Sequence, residues 1–281
     1  NYAVSFNGNG STGGLVPGNQ TKTHGVNLSV ATSGSLVKTG YTFGNWNTAD
    51  DGSGDSYAAS ATYSADAAVT LYAQWTGNSL TVTYDWQSDS HRSAGSTTSG
   101  GVVASAPVEP TRAGYVFTGW FTATSGGTAI TFPYTHSQTT SFTLYAQWSV
   151  ATYVVSFNGN GSTGGSVPGD QSKTHGVNLS VATSGSLVKT GYTFGNWNTA
   201  DDGSGTSYAE GATYGVDEAV TLYAKWTANS LTVTYDPQGG SAVSDGSTTS
   251  GGVIASAPVA PTRTGYVFTG WFAASTGGSA I

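Results

Sequence analysis

Asp50, Asp51 and Asp55, in the run DDGSGDS, come nearest to a chemical site in this sequence. Oxygen ligands on a glycine-rich loop suit a Ca²⁺ ion. The stretch recurs later with Asp201, Asp202 and Thr206, so one of the three donors is not kept. In the related segment between them, Thr124–Thr128 (TSGGT) stands at the same place without an acid. Glycine and aspartate in this mixture make a solvated hairpin turn, and no metal site is expected. The histidines give no better set. His24 and His175 stand in matching KTHG runs, while His91 and His136 have no counterparts. None has zinc spacing and there is no HExxH. Serine is abundant, yet no G-x-S-x-G elbow occurs, and no glycine cluster carries the lysine of a phosphate loop. Lys22, Lys38, Lys173 and Lys189 raise one covalent chemistry, an amide cross-link to an Asn or Asp side chain. That needs a buried lysine, its partner and a further carboxylate together, and the sequence carries no signature of such a set. Catalytic residues, cofactors and metals are all expected to be absent.

Aromatic rings are the other candidates. Trp46, Trp75, Trp120, Trp148, Trp197, Trp226 and Trp271 recur at equivalent places. A large ring repeated at a fixed position fills a small core, and these residues are read that way. Trp86 suits a sugar-stacking role better, because Pro237 replaces it in the duplicate. Tyr134 is the second ring expected to contact a ligand. Tyr72, Tyr145 and Tyr223 lie on the strand face opposite the core and are read as packing.

Strands must position these rings. Tyr2–Phe6 (YAVSF) alternates, with Tyr2, Val4 and Phe6 on one face, which is the pattern of a half-buried strand. The glycines of Asn7–Gly14 then reverse the chain. Val26, Leu28 and Val30 alternate again and predict a short second strand. In Tyr41–Trp46 (YTFGNW), Tyr41 and Phe43 share a face and Trp46 falls out of phase, so a bulge near Gly44 is expected. Asn47–Gly54 reads as a turn. Val69–Trp75 (VTLYAQW) places Val69, Leu71, Ala73 and Trp75 on one side.

This whole pattern repeats. Gly40–Trp75 returns as Gly114–Trp148 and Gly191–Trp226, and begins again at Gly265. Tyr153–Gly205 reproduces Tyr2–Gly54, and Leu231–Ile281 reproduces Leu80–Ile130, both at an offset of 151 residues. The order is A-B-A-B, with modules at 1–77, 78–150, 151–228 and 229–281. The last has no counterpart of Thr131–Trp148. Either this is a window onto a longer array, or a neighbouring molecule supplies the strand.

Modules of this size hold small cores, and with no cysteine a disulfide cannot assist them. Aromatics make up 12% of the 281 residues and charged residues only 8%. Such a chain is too aromatic for disorder. Eight Lys and Arg within a net charge of −7 offer no basic patch for nucleic acid. No apolar run approaches the roughly 20 residues of a membrane helix. The lack of Cys and Met is compatible with an extracellular life.

The succession V-x-F-(N/D)-x-x-G-G, P-T-R-x-G-Y-x-F-x-G-W and V-T-L-Y-A-x-W resembles the Listeria–Bacteroides repeat, also known from the internalin B-repeat. Pro110–Trp120 (PTRAGYVFTGW), Phe142–Trp148 (FTLYAQW) and Pro261–Trp271 (PTRTGYVFTGW) match best. Ser156–Gly165 and Tyr235–Gly240 match the first strand and its turn, while the A modules have Leu36–Thr39 (LVKT) in place of PTR. The resemblance implies β-grasp-like modules in tandem on secreted or surface proteins of bacteria, with no catalytic residue. The expected fold is therefore mainly β, an elongated tandem array of small β-grasp-like modules with little or no helix. The expected role is a non-enzymatic stalk, spacer or self-assembling fibre at the bacterial surface. An adhesin binding glycans or a receptor through Trp86 and Tyr134 is the alternative. Expected partners are the neighbouring modules, further copies joined by strand addition, and surface glycans or a receptor.

Overall fold

The computed structural model describes residues 1–88 and 91–281, which fall into two compact units, Asn1–Ser149 and Val150–Ile281. Every regular element among the described residues is a strand. The first A module contains β1 (Tyr2–Asn7), β2 (Gln20–Lys22), β3 (Leu28–Ser29), β4 (Tyr41–Asn47), β5 (Ser56–Tyr57), β6 (Thr62–Tyr63) and β7 (Val69–Gly77). Its sheet has the order β2-β1-β7-β4-β5. β1 and β7 are parallel neighbours, with Val4 opposite Val69 and Phe6 opposite Leu71. Parallel neighbours need a long crossover between them. Here the chain between them is rich in Gly, Ser and Thr, which are poor helix formers, so it crosses as loops and the small β3–β6 ribbon. The crossover supplies Val30, Leu36 and Tyr63, which close over Val4, Phe6, Trp46, Leu71 and Ala73 to form the core.

The bulge of β4 lies where the aromatic phase requires it. The register with β7 shifts between Phe43 and Asn45, which brings Trp46 onto the buried face with Phe43. The second strand differs from expectation. It is Gln20–Lys22, antiparallel to β1, whereas Val26 is exposed and Leu28 belongs to the separate ribbon. QTK has no apolar alternation to announce it. Backbone pairing and the fate of the Lys22 side chain, described below, hold it in place.

The first B module contains β8 (Ser79–Asp85), β9 (Arg92–Thr98), β10 (Val102–Val103), β11 (Tyr115–Phe121), β12 (Tyr134–Thr135) and β13 (Phe142–Val150). Its order, β11-β13-β8-β9, again puts the first and last strands side by side and parallel. Val82, Tyr84, Val103, Trp120, Leu144 and Ala146 form the core. The second A module repeats the first through β14 (Thr152–Asn158), β15 (Gln171–Thr174), β16 (Leu179–Ser180), β17 (Tyr192–Asn198), β18 (Ser207–Tyr208), β19 (Thr213–Tyr214) and β20 (Val220–Ala228). Its core consists of the equivalent residues, Trp197 included.

The fourth module has only β21 (Ser230–Val233) and β22 (Gly246–Thr249), paired with each other. Tyr266–Phe272, the equivalent of β11, pairs with no strand among the described residues, Phe272 making an isolated bridge to Ala280. In the first B module β11 is bonded to β13, and among the described residues none occupies that middle position in the fourth. Leu80 is 7% exposed and its equivalent Leu231 is 47% exposed. An open cleft of about 840 Å³ separates Val233–Gln238 from Tyr266–Ala274.

Candidate functional site

The repeated tryptophans work as clamps. Trp46 and Trp197 are fully buried and Trp120 nearly so. A buried indole must still satisfy its N–H. Trp46 Nε1 donates to Ala31 O of the crossover at 2.9 Å, and Trp197 Nε1 does the same to Ala182 O. Trp75, Trp148 and Trp226 are partly buried against their module cores. Their N–H groups donate to Gly8 O, Trp86 O and Gly159 O, so the last strand pins the turn that follows the first. Trp271 keeps its ring contacts with Tyr235 and Phe268, but its Nε1 is buried without a partner among the described residues.

The two rings singled out as ligand contacts are not free platforms. Trp86 is half-buried, packs on the B core and stacks on His91 at 5.5 Å. Tyr134 is also half-buried, because β12 pairs with β10 and carries it against that core. Both contribute packing within their own module. Tyr72 and Tyr145 lie half-exposed on the outer sheet face.

The aspartate loop is organised by a residue that the sequence did not flag. Asn47 is buried at the end of β4, and its Nδ2 donates to Gly52 O, Gly54 O and Ser56 Oγ. Its Oδ1 accepts the N–H groups of Ala49 and Gly54. Asp51 accepts both the N–H and the hydroxyl of Ser53, which holds its carboxyl below the usual range. No group of three or more metal-ligating side chains forms among the described residues.

The lysines divide into two kinds. Lys38 and Lys189 lie over the rings of Tyr41 and Tyr192 at 4.7 and 4.8 Å. Lys22 and Lys173 are buried at the module edge, Lys22 Nζ 2.6 Å from Asp66 Oδ1 and Lys173 Nζ 2.5 Å from Asp217 Oδ1. Each ammonium also donates to the next residue's carbonyl, Thr23 O or Thr174 O. Asp66 in turn accepts the Gly25 N–H and faces His24 Nδ1 at 3.0 Å. The Lys22 hydrogen bond, with that of Gly25, holds Asp66 below the usual carboxylate range, and Lys173 does the same for Asp217. An ionised carboxylate is a poor electrophile, so the arrangement is that of an ion pair bracing β2 to the segment between β6 and β7. Sequence reading named the lysines and missed Asp66 and Asp217. The signal available was that both acids survive at the 151-residue offset while the residues on either side of them change, SADAAV and GVDEAV.

The first B module has a neutral brace at the corresponding place. Thr97 on β9 gives its hydroxyl proton to Val102 O and accepts from His136 Nε2 at 3.1 Å. His136 Nδ1 accepts the Gln138 N–H at 3.2 Å. That fixes the neutral tautomer, and burial among Phe142 and Tyr134 holds His136 below its ordinary range. A histidine depressed on folding contributes stability at neutral pH that declines once the pH falls below the unfolded value of about 6.5. After correction for the intrinsic slowing of amide exchange toward acid, the protection factors over β10 and β12 should therefore fall between pH 7 and pH 5, while those of β1 and β7 of the A module hold. A flat profile over β10 and β12 would disprove the neutral brace.

The sequence matches the model of the Listeria-Bacteroides repeat domain four times, at residues 2–74, 81–147, 153–225 and 232–281. It is 33% identical over 272 residues to a protein of Evansella cellulosilytica that carries the name of a Gly-rich membrane protein, covering 96% of this chain and 30% of that protein. A second Evansella protein, also named as a membrane protein, is 36% identical over 160 residues, 57% of this chain and 24% of its own length. Internalin H of Listeria monocytogenes is 39% identical over 112 residues, 38% of this chain and 19% of its own length. The chain thus spans less than a third of each of these relatives. Four tandem matches over nearly its whole length, on modules whose clamps and cores repeat, place the chain in the Listeria-Bacteroides repeat family.

Proposed function

We propose that this chain is a non-catalytic spacer, a tandem of β modules that gives a bacterial surface protein its reach. The observation that carries this reading is where the repeated residues point. The tryptophan N–H groups, Asn47 and the Lys22–Asp66 pair are all engaged inside their own module. What the repeat preserves is the module itself. Names among the relatives add support, since an internalin and two proteins named as membrane proteins carry similar segments. Repeats that contact chiefly their neighbours extend in one dimension.

Small-angle scattering on the 281-residue chain tests the proposal. A single globule of this length has a radius of gyration of about 19 Å. A spacer gives a clearly larger value that does not change with concentration. A value near 19 Å would sink the reading. Concentration-dependent growth would replace it with homotypic assembly.

A further inference from the structure

One residue ties each A module to the B module that follows. Asn78 is the single residue between β7 and β8. Its N–H donates to Gly40 O at 2.9 Å, at the turn that opens β4. Its carbonyl accepts the Ser99 N–H at 2.9 Å, in the turn that closes β9 of the B module. Its side-chain Oδ1 accepts the Thr42 hydroxyl at 2.7 Å. Three bonds from one residue therefore engage β4 of A and the β9–β10 turn of B. The modules meet closely around it. A Cβ on Gly40, at φ +80°, would stand 2.6 Å from Thr139 Cβ, and one on Gly77 would stand 2.9 Å from Ser99 O. Gly100 presses on the Tyr41 hydroxyl in the same way.

The second pair builds the joint again. Asn229 donates to Gly191 O at 2.9 Å, accepts the Ser250 N–H at 2.9 Å and accepts the Thr193 hydroxyl at 2.7 Å. The Tyr192 hydroxyl reaches Ser250 O at 3.4 Å. This joint forms although the fourth module has only a two-stranded sheet, so it does not depend on a complete B core. At the corresponding place after the first B module, three residues beyond Trp148, the sequence has Ala151 in place of Asn. Two residues beyond Gly114 it has Val116 where Thr42 and Thr193 stand in the A modules. Neither side chain can make the amide–hydroxyl bond.

We propose that Asn78 and Asn229 are joint locks that make each A–B pair one rigid body. The 151-residue repeat is then a mechanical unit as well as a duplicated one, and the side-chain lock is confined to the joints inside a pair. The lock belongs to the pair and holds whether or not the array serves as a spacer.

Hydrogen exchange followed by NMR on the 281-residue chain tests it, with Asn78→Ala, Thr42→Val and the double variant. One hydrogen bond is worth roughly a fivefold change in local opening. Each single variant should speed exchange at the Asn78 and Ser99 amides about fivefold. The amides of Val4 and Leu71 in the A core should be unchanged. The double variant should be no worse than either single, because both remove the same bond. Unchanged exchange at the joint, additive effects, or acceleration spread through both cores would overturn the lock. Should Asn78→Ala not fold, Thr42→Val carries the test alone, since Thr42 is exposed and loses only its hydroxyl.

Discussion

Extending the chain after Ile281 with the sequence of Thr131–Val150 will turn the fourth module from a two-stranded ribbon into a four-stranded sheet. Ile281 is the equivalent of Ile130, so the added residues continue the duplicate in register. In the first B module, β13 lies between β8 and β11 and bonds to both. Its Leu144 and Ala146 are fully buried and its Trp148 clamps the Trp86 carbonyl. The fourth module already holds the other side of that arrangement. Tyr235 and Trp271 are in ring contact at 4.9 Å, as Tyr84 and Trp120 are at 5.0 Å. Leu231, Phe268 and Phe272 are exposed for want of a covering strand. Burying a large apolar side chain fully is worth roughly 1.5–3 kcal/mol, and several would be buried at once. Tryptophan emission should move to shorter wavelength, and a cooperative unfolding transition should appear for this module. An appended copy with Leu144→Ser should lose most of the gain. If emission and exchange of the extended chain match those of the parent, the middle strand is not what assembles the sheet.

Much of this fold was legible in the sequence because apolar residues report burial directly. The alternation in Tyr2–Phe6 and Val69–Trp75 marks the two central strands, and the phase slip between Phe43 and Trp46 marks the bulge. The polar joinery was not legible. Gln20–Lys22 forms a strand through backbone pairing and one buried ammonium, and neither leaves a periodic trace. Asn47 and Asn78 look like ordinary turn and linker residues. Their roles depend on which carbonyls and amides the chain brings within reach, across separations such as the 36 residues between Thr42 and Asn78. The part that Trp86 and Tyr134 play in packing was hidden for a related reason. Replacement of Trp86 by Pro237 in the duplicate suggested a surface role, yet partial burial at a core's rim tolerates such a change.

Asp66→Asn should destabilise the first A module far more than Lys22→Met. The asymmetry follows from burial. Lys22 is fully enclosed, while about a third of the Asp66 side chain, 31%, remains accessible to water. Removing one partner of a buried pair strands the other charge, whereas replacing the enclosed charge by an apolar group of similar volume is often neutral. Asp66→Asn leaves the ammonium enclosed with amide and carbonyl dipoles only. Lys22→Met leaves a carboxylate that keeps the Gly25 N–H, His24 and solvent. For a module of this size the first variant should lower the melting temperature by about 10 °C and the second by no more than a few degrees. The unaltered second A module, with Lys173 and Asp217 intact, is the internal reference in calorimetry. Acid should mimic the first variant. Because folding lowers the Asp66 carboxyl below its ordinary 3.8, the pair's contribution is full above that pH and is lost as the pH falls through the folded value. Asp66→Asn should therefore flatten the acid limb of the first A module's stability profile and leave that of the second A module in place. Equal losses from the two substitutions would mean that removing Asp66 does not strand the enclosed ammonium, and the burial argument would fail.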